Sequence, residues 1–320
     1  MEVIVVDDDS SDRTREIAAE FPEVLIVDAP VLPKGHVGKN NALAAGAACA
    51  AGEWLLFTDA DTIHAPGSLE RALQEARRRD VSLLSYSPRQ DVEGVLERAV
   101  MPVIFAELAR AYRPTQVSDP TSSAAAANGQ YLLIEREAYE AVGGHAGLAA
   151  SILEDVALAR AVKRSGRKIF FRYGADAVCA RMYRSFAQLR EGWTKNLVLL
   201  FPAPGQLALL RFTEFFLTAG SGVLSLVAYH DHRTTVSAWL FVVFVTTFGF
   251  LWNRIRKAHF SWSSNLLAFF GLPIFSYLLL RSKLAHATGN VTWKGRTYGS
   301  EDGEMSRNVV TDAKAGFVQH

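Results

Sequence analysis

Apolar and polar positions follow two regimes along this chain. In the first two hundred residues, short apolar runs alternate with stretches of helical spacing. Val3-Ile4-Val5-Val6 and Val24-Leu25-Ile26-Val27 read as buried β-branched strands, with helical spacing at Ile17, Ala18 and Phe21 between them and Pro22 as the exit. Trp54-Leu55-Leu56-Phe57 is a third strand, preceded by an Ala-rich helix that ends near Ala51 and followed by a helix from about Pro66 to Arg79. Val81–Ser87, Tyr131–Ile134, Ile169–Tyr173 and Ala175–Ala180 add further strands, with helices at Arg136–Val142 and from Leu153 to Arg164. Gly94–Ala111 is amphipathic through Val95, Leu96, Val100, Val103, Ile104 and Leu108; core packing is the favoured reading and a membrane surface the alternative. Strands alternating with helices predict βαβ units and an α/β class.

The second regime begins near residue 207. Phe212–Ala228 is mostly apolar, with Glu214 near its start, and Val236–Trp252 carries no charge; each is close to the minimum length of a spanning helix. Leu266–Leu280 is shorter and interrupted by Gly271-Leu272-Pro273, so it is expected to be re-entrant or interfacial, with a third span as the alternative. Arg184, Arg190, Lys195 and Arg211 precede the first span, and Arg254, Arg256 and Lys257 follow the second. The connection His230-Asp231-His232-Arg233 is less basic. The positive-inside rule therefore predicts a multi-pass protein of the cell (inner) membrane with its first two hundred residues cytoplasmic.

Composition narrows the choices a little. The net charge of +1 provides no global field for nucleic acid, so no nucleic-acid partner is expected. Cys49 and Cys179 lack metal-ligand spacing and suit a reduced compartment. A mean hydropathy of +0.09 beside 21% charged residues reflects the apolar second half.

Candidate chemistry clusters at strand ends and helix starts. Asp59 and Asp61 end the Trp54 strand at i, i+2 spacing, where two carboxylates can hold a hard divalent cation; a solvated Asp turn is the plainer reading, at even odds. Asp7-Asp8 ends the first strand. The loop Pro33–Asn41 places Gly35, Gly38 and Lys39 before a helix, a phosphate-cradling pattern of low specificity without Walker A spacing. Glu154-Asp155 opens a helix, where acids are often no more than dipole complements.

Taken in order, "VIVVDDDSSDRT", "GKNNAL", "FTDAD", "NGQYLLIEREAYEAVGGH" and "EDVALARAVKRSGRKI" closely resemble the family 2 glycosyltransferases. The resemblance implies a GT-A nucleotide-diphospho-sugar transferase fold, with a mostly parallel mixed sheet and flanking helices, in residues 1–200. A membrane region over 207–283 and a cytosolic tail over 284–320 would follow. It implies that Asp7, Asp8, Lys39 and Asp59 bind the donor, that Asp61 with Asp59 holds Mn2+ or Mg2+, and that Asp155, beside Glu154, is the catalytic base. Gly129, Gln130, Trp193 and Arg190 would line the acceptor or donor pocket. "MYRSFAQLREGWTKN" and "VTWKGRTY" are most similar to the hopanoid- and carotenoid-associated branch, near ceramide glucosyltransferase-like enzymes. Lys294 and Arg296 would meet phosphates or the membrane surface.

The activity so implied is that of an inverting hexosyltransferase passing a sugar from a UDP-sugar to a membrane lipid hydroxyl. Transfer to a polyprenyl phosphate is the runner-up, and a catalytically inactive membrane scaffold is the reading from another class. Two departures stand out. Leu189 and Gly192 replace the polar residues of the family's Q/R-x-x-R-W motif, which argues against a processive synthase. Family members also begin one strand and helix earlier, so a chain starting at Met1 is expected to lack part of the base-binding wall.

Overall fold

The β-branched runs at Val3–Asp7 (β1) and Val24–Asp28 (β2) pair in parallel, joined by the short helix α1 (Thr14–Ala19). Helix α2 (Gly38–Cys49) follows and packs on β1, so closely that a Cβ on Gly46 would reach the Val6 side chain. The chain continues through β3 (Trp54–Phe57), β4 (Thr62–His64), α3 (Ser68–Arg79), β5 (Leu83–Ser87) and β6 (Arg89–Gln90) into α4 (Val95–Ala111). After α4 come α5 (Pro114–Val117), β7 (Leu132–Glu135), α6 (Arg136–Ala141), α7 (Glu154–Arg164), β8 (Ile169–Tyr173) and β9 (Val178–Ala180). The computed structural model describes residues 1–293 and 296–298, and these divide into two units. Among the described residues, the first contains Met1–Arg89 and Tyr112–Ala180, and the second contains Gln90–Ala111 and those from Arg181 to Tyr298.

The GT-A expectation of one continuous sheet in the first unit is not met. The strands form a two-stranded β1-β2 sheet, a four-stranded sheet in the order β3-β7-β5-β8 and a small sheet in the order β4-β9-β6. In the four-stranded sheet only β5 and β8 run parallel; β7 is antiparallel to both β3 and β5. The physical reason lies in how β1 meets the chain entering β3. The Glu2 carboxylate accepts the N–H groups of Ala51 and Gly52 at 2.6 and 3.0 Å, so a side chain, not a backbone ladder, ties the start of β1 to the turn before β3. The result is a two-unit arrangement of separate small sheets followed by apolar helices.

The four-stranded sheet is the core of the first unit. Leu83 and Leu84 of β5 and Leu132, Leu133 and Ile134 of β7 are buried on both faces, which is why these runs are apolar without alternation. Phe57 pairs with Leu132 in antiparallel register. The residues just past β3 and those just before β7 therefore lie at the same edge of the sheet.

The second unit is helical. Buried Val100, Met101, Val103 and Ile104 make α4 a core helix, as its periodicity favours. Around it lie α8 (Phe186–Leu200), α9 (Pro204–His230), α10 (Thr234–Ile255) and α11 (Trp262–Ala287), followed by the hairpin β10 (Val291–Trp293) and β11 (Arg296–Tyr298). The helices from Pro204, Thr234 and Trp262 are each long and apolar enough to cross a membrane, which makes this a multi-pass membrane protein. α11 runs unbroken through Gly271-Leu272-Pro273, where the sequence suggests an interruption.

Candidate active site

The β3–β7 register brings two loops together. Thr58, directly after β3, donates its hydroxyl proton to the Gln130 carbonyl at 3.0 Å. Thr62 donates its hydroxyl proton to the Asp59 carbonyl at 2.7 Å, closing the Asp59-Ala60-Asp61 turn. Before β7, Asn128 Oδ1 accepts the Gln130 N–H at 3.0 Å, and the buried Ser85 hydroxyl holds the Asn128 N–H at 2.8 Å. Asp59 and Asp61 thus stand beside Gly129 and Gln130.

Helix α2 supplies the link to the second acid pair. Lys39 Nζ lies 2.8 Å from Asp59 Oδ1 and 2.7 Å from Glu154 Oε1, bridging the β3 end and the start of α7. Burial works to lower the Lys39 pKa, but the charges of Glu154, Asp59 and Asp155 outweigh it and hold the ammonium well above its ordinary value. Gly129 lies over this bridge: a Cβ there would come within 3.1 Å of Lys39 Nζ and 3.3 Å of Glu154 Oε1.

Asp155 Oδ2 accepts the Gly129 N–H at 2.9 Å, and Oδ1 accepts the Val156 N–H at 2.8 Å. Burial, then the neighbouring Glu154 charge, push its pKa up to about 6 against the opposing pull of Lys39. At neutral pH it is an ionised carboxylate whose pKa lies close to the medium, the condition for an efficient general base.

A divalent cation is tested here by its donors. Among the described residues, no group of three His, Cys, Asp or Glu side chains is placed to hold a metal unaided. A cation of the Mg2+ or Mn2+ type does not need three; one or two carboxylates completed by substrate phosphates and water are enough. Burial and the adjacent Asp59 carboxylate raise the Asp61 pKa, a repulsion that a bound cation would relieve. Asp59 and Asp61 fit that role.

The remaining sequence candidates are placed differently. Asp7 is buried at the end of β1; hydrogen bonds from Ser10, chiefly, hold its pKa below the usual range. Arg15 bridges Asp7 and Asp28, so β1 and β2 present one charged edge. Asp8 follows in the turn after β1. Trp193 and Arg190 belong to the second unit. The Trp193 indole is buried and donates to Met101 Sδ at 3.4 Å, while Arg190 is exposed. A Cβ on Gly192 would strike the Tyr183 ring, so an arginine in that motif position has no room. Lys294 lies outside the described residues, and Arg296 is described only as a backbone position in β11.

Sequence reasoning missed two residues here. Asn40 is 1% exposed and donates to the carbonyls of Leu148 and Ser151 at 2.6 and 2.9 Å, fastening the start of α2 to the loop before α7. Its signal was the Asn beside Lys39. His145 is buried against Phe57 and Tyr139, and burial lowers its pKa to about 4, so it is neutral near Glu154. The Gly143-Gly144-His145 run was visible, but not its direction.

Residues 1–143 match the family model described as Glycosyl transferase family 2. The 4,4'-diaponeurosporenoate glycosyltransferase of Staphylococcus aureus (strain USA300) is 25% identical over 317 residues, covering 93% of this chain and 80% of the relative. The same-named enzyme of Staphylococcus haemolyticus (strain JCSC1435) is 30% identical over 205 residues, covering 62% and 54%. Glucosyl-3-phosphoglycerate synthase from Mycobacterium tuberculosis, solved with Mn2+, UDP and glucosyl-3-phosphoglycerate, overlays with a TM-score of 0.38 at 20% identity, over 59% of this chain and 63% of that chain. S. aureus TarS 1-349 in complex with UDP-GlcNAc overlays with a TM-score of 0.39 at 14% identity, over 98% and 83%.

Proposed function

We propose, from the premise that this chain is a glycosyltransferase whose residues 1–143 match family 2, that it transfers the sugar of a UDP-sugar, with inversion, to a lipid hydroxyl at the membrane. The observation that carries this reading is the Lys39 bridge, which joins Asp59 to Glu154 and so unites the two acid motifs in one site. Asp7, Asp8 and Lys39 would bind the donor. A cation held by Asp59 and Asp61 would offset the charge that develops on the departing diphosphate. Asp155 would take the proton of the acceptor hydroxyl as its oxygen bonds to the anomeric carbon and the carbon–oxygen bond to the diphosphate breaks on the opposite face. Its two backbone donors aim the carboxylate and leave one lone pair on each oxygen for that proton. Basic residues before α9 and after α10 support a cytoplasmic position for this site. The curated relatives support the carotenoid-associated branch.

One observation favours a second acceptor. The relatives' name designates a carboxylate, diaponeurosporenoate. An acceptor that is already ionised needs no base, so the two readings part at Asp155. Asp155→Asn should lower transfer about 10²–10⁴-fold for a hydroxyl acceptor and only slightly for an acid. Calorimetry with UDP and Mn2+ tests the donor half: Asp61→Ala should abolish the metal-dependent part of binding. Metal-independent binding, equal in both proteins, would overturn the role of Asp61.

A further inference from the structure

Three helices are apolar enough to cross a bilayer, but their surroundings differ. α10 presents Val236, Trp239, Phe241, Val242, Val245 and Phe250 around its circumference and is the least buried of the three; α11 is the most buried. Its exposed large apolar residues are Trp262, Leu266, Phe270, Tyr277, Leu280 and Leu284, spaced by three, four or seven, which is one face of a helix. The opposite face, with Ala268, Leu272, Phe275 and Leu279, is fully buried.

What buries that face is not a spanning helix alone. α4 lies against it so closely that a Cβ on Gly271 would collide with the Ala99 carbonyl, and Arg98 donates to Ser263 Oγ at 2.7 Å. α8 covers its C-terminal half: Ser282 donates to the Thr194 carbonyl at 2.7 Å, and His286 Nε2 meets the Lys195 carbonyl at 2.8 Å. These two helices carry Glu97, Arg98, Glu107 and Arg110, and Arg190, Glu191 and Lys195. If α11 stood across the bilayer, both would be drawn into hydrocarbon, where charged side chains are strongly disfavoured.

The contacts with α9 agree. Lys283 lies beside Gly205, and Phe269 packs on Phe215, so α11 runs back along the start of α9, away from the α9–α10 connection. Beyond them, from Glu214 to His230, α9 offers about 24 Å of helix to the bilayer at 1.5 Å per residue. A chain of rings, Phe212, Phe216, Phe215, Phe269 and Phe270, makes the lipid-facing side of α9 continuous with the exposed stripe of α11.

We propose that α11 lies in the plane of the membrane, with its apolar stripe set into the acyl layer of one leaflet, so that only α9 and α10 cross and the chain after α11 stays on the face from which α9 enters. The occupant of the stripe is lipid, and its orientation is that of an interfacial helix whose other face is a protein core.

The test uses the full chain, with Cys49 and Cys179 replaced by Ser, in vesicles of phosphatidylcholine and phosphatidylglycerol. Spin labels at Leu266→Cys, Phe270→Cys, Tyr277→Cys and Leu284→Cys should report one shallow depth by oxygen and nickel-chelate accessibility. A depth running from one surface through the midplane to the other would overturn the proposal. So would labels shielded from oxygen and broadened by a second copy. Independently, an impermeant maleimide should label Thr288→Cys from the same side as Ala187→Cys and the opposite side from Asp231→Cys. Labelling of Thr288→Cys together with Asp231→Cys would also overturn it.

Discussion

Asp155 carries the sharpest consequences at the scale of single residues. Its folded-state pKa of about 6 lies above its ordinary value, so the folded chain binds more protons there than the unfolded chain over roughly pH 4 to 6. Ionising Asp155 therefore lowers stability as pH rises through that window, while creating the base. Transfer to a hydroxyl acceptor should rise with pH around 6, and the denaturation midpoint should fall over the same range. In Asp155→Asn this part of the stability change should vanish, read by chemical denaturation at pH 4 and pH 7. Lys39 works the other way. Lys39→Met leaves Asp59 and Glu154 facing each other without their cation. A fully buried pair broken in this way costs about 3–5 kcal/mol; the side chain is 37% exposed, so screening reduces the expected loss to about 1–2 kcal/mol. Added Mn2+ should restore part of it through the carboxylates, and thermal melts with and without the metal would show that.

Individual elements are held by polar groups that their own periodicity does not reveal. α2 is placed by Asn40, whose amide fastens it to the loop before α7. α4, α9 and α10 are held by a four-charge network: Glu107 Oε1 lies 2.9 Å from Arg211 Nε and 3.2 Å from Arg254 Nε, and Glu214 Oε2 lies 2.6 and 2.8 Å from the same two arginines. Glu107 is fully buried, so Glu107→Gln strands two guanidinium groups with one carboxylate. The expected loss is about 3 kcal/mol or more, measured by unfolding in detergent. Glu214 looks like an interruption in an apolar run; it is one of the two acids of this network.

For the whole molecule, the decisive solvent is the bilayer. α10 exposes Val242 near its midpoint, and a charge there has no protein partner to meet. Val242→Arg should cost about 2.5–3.5 kcal/mol of insertion and release the chain from membranes under alkaline extraction, whereas Ala187→Arg, at an exposed position of α8, should not.

Local chemistry was readable in the chain itself. Apolar runs that stop at Asp7, Phe57 and Ser87 end as strands there: β5 is buried on both faces of the four-stranded sheet, while β1 keeps Val3 exposed in its two-stranded sheet, and aspartates suit the turns after β1 and β3. The acids at 59, 61, 154 and 155 were visible as pairs, since spacing within a pair is local. Their union was not, because it depends on a lysine from a third element and on an antiparallel register that sets Thr58 beside Gln130. Sheet connectivity was also decided by tertiary structure: the start of β1 is tied to the turn before β3 by the Glu2 carboxylate and not by a backbone ladder. α11 is the clearest case. Both of its faces are apolar, one for lipid and one for a protein core, so its sequence says only that it avoids water. Which face meets which solvent depends on α4 and α8, and only the folded chain brings them there.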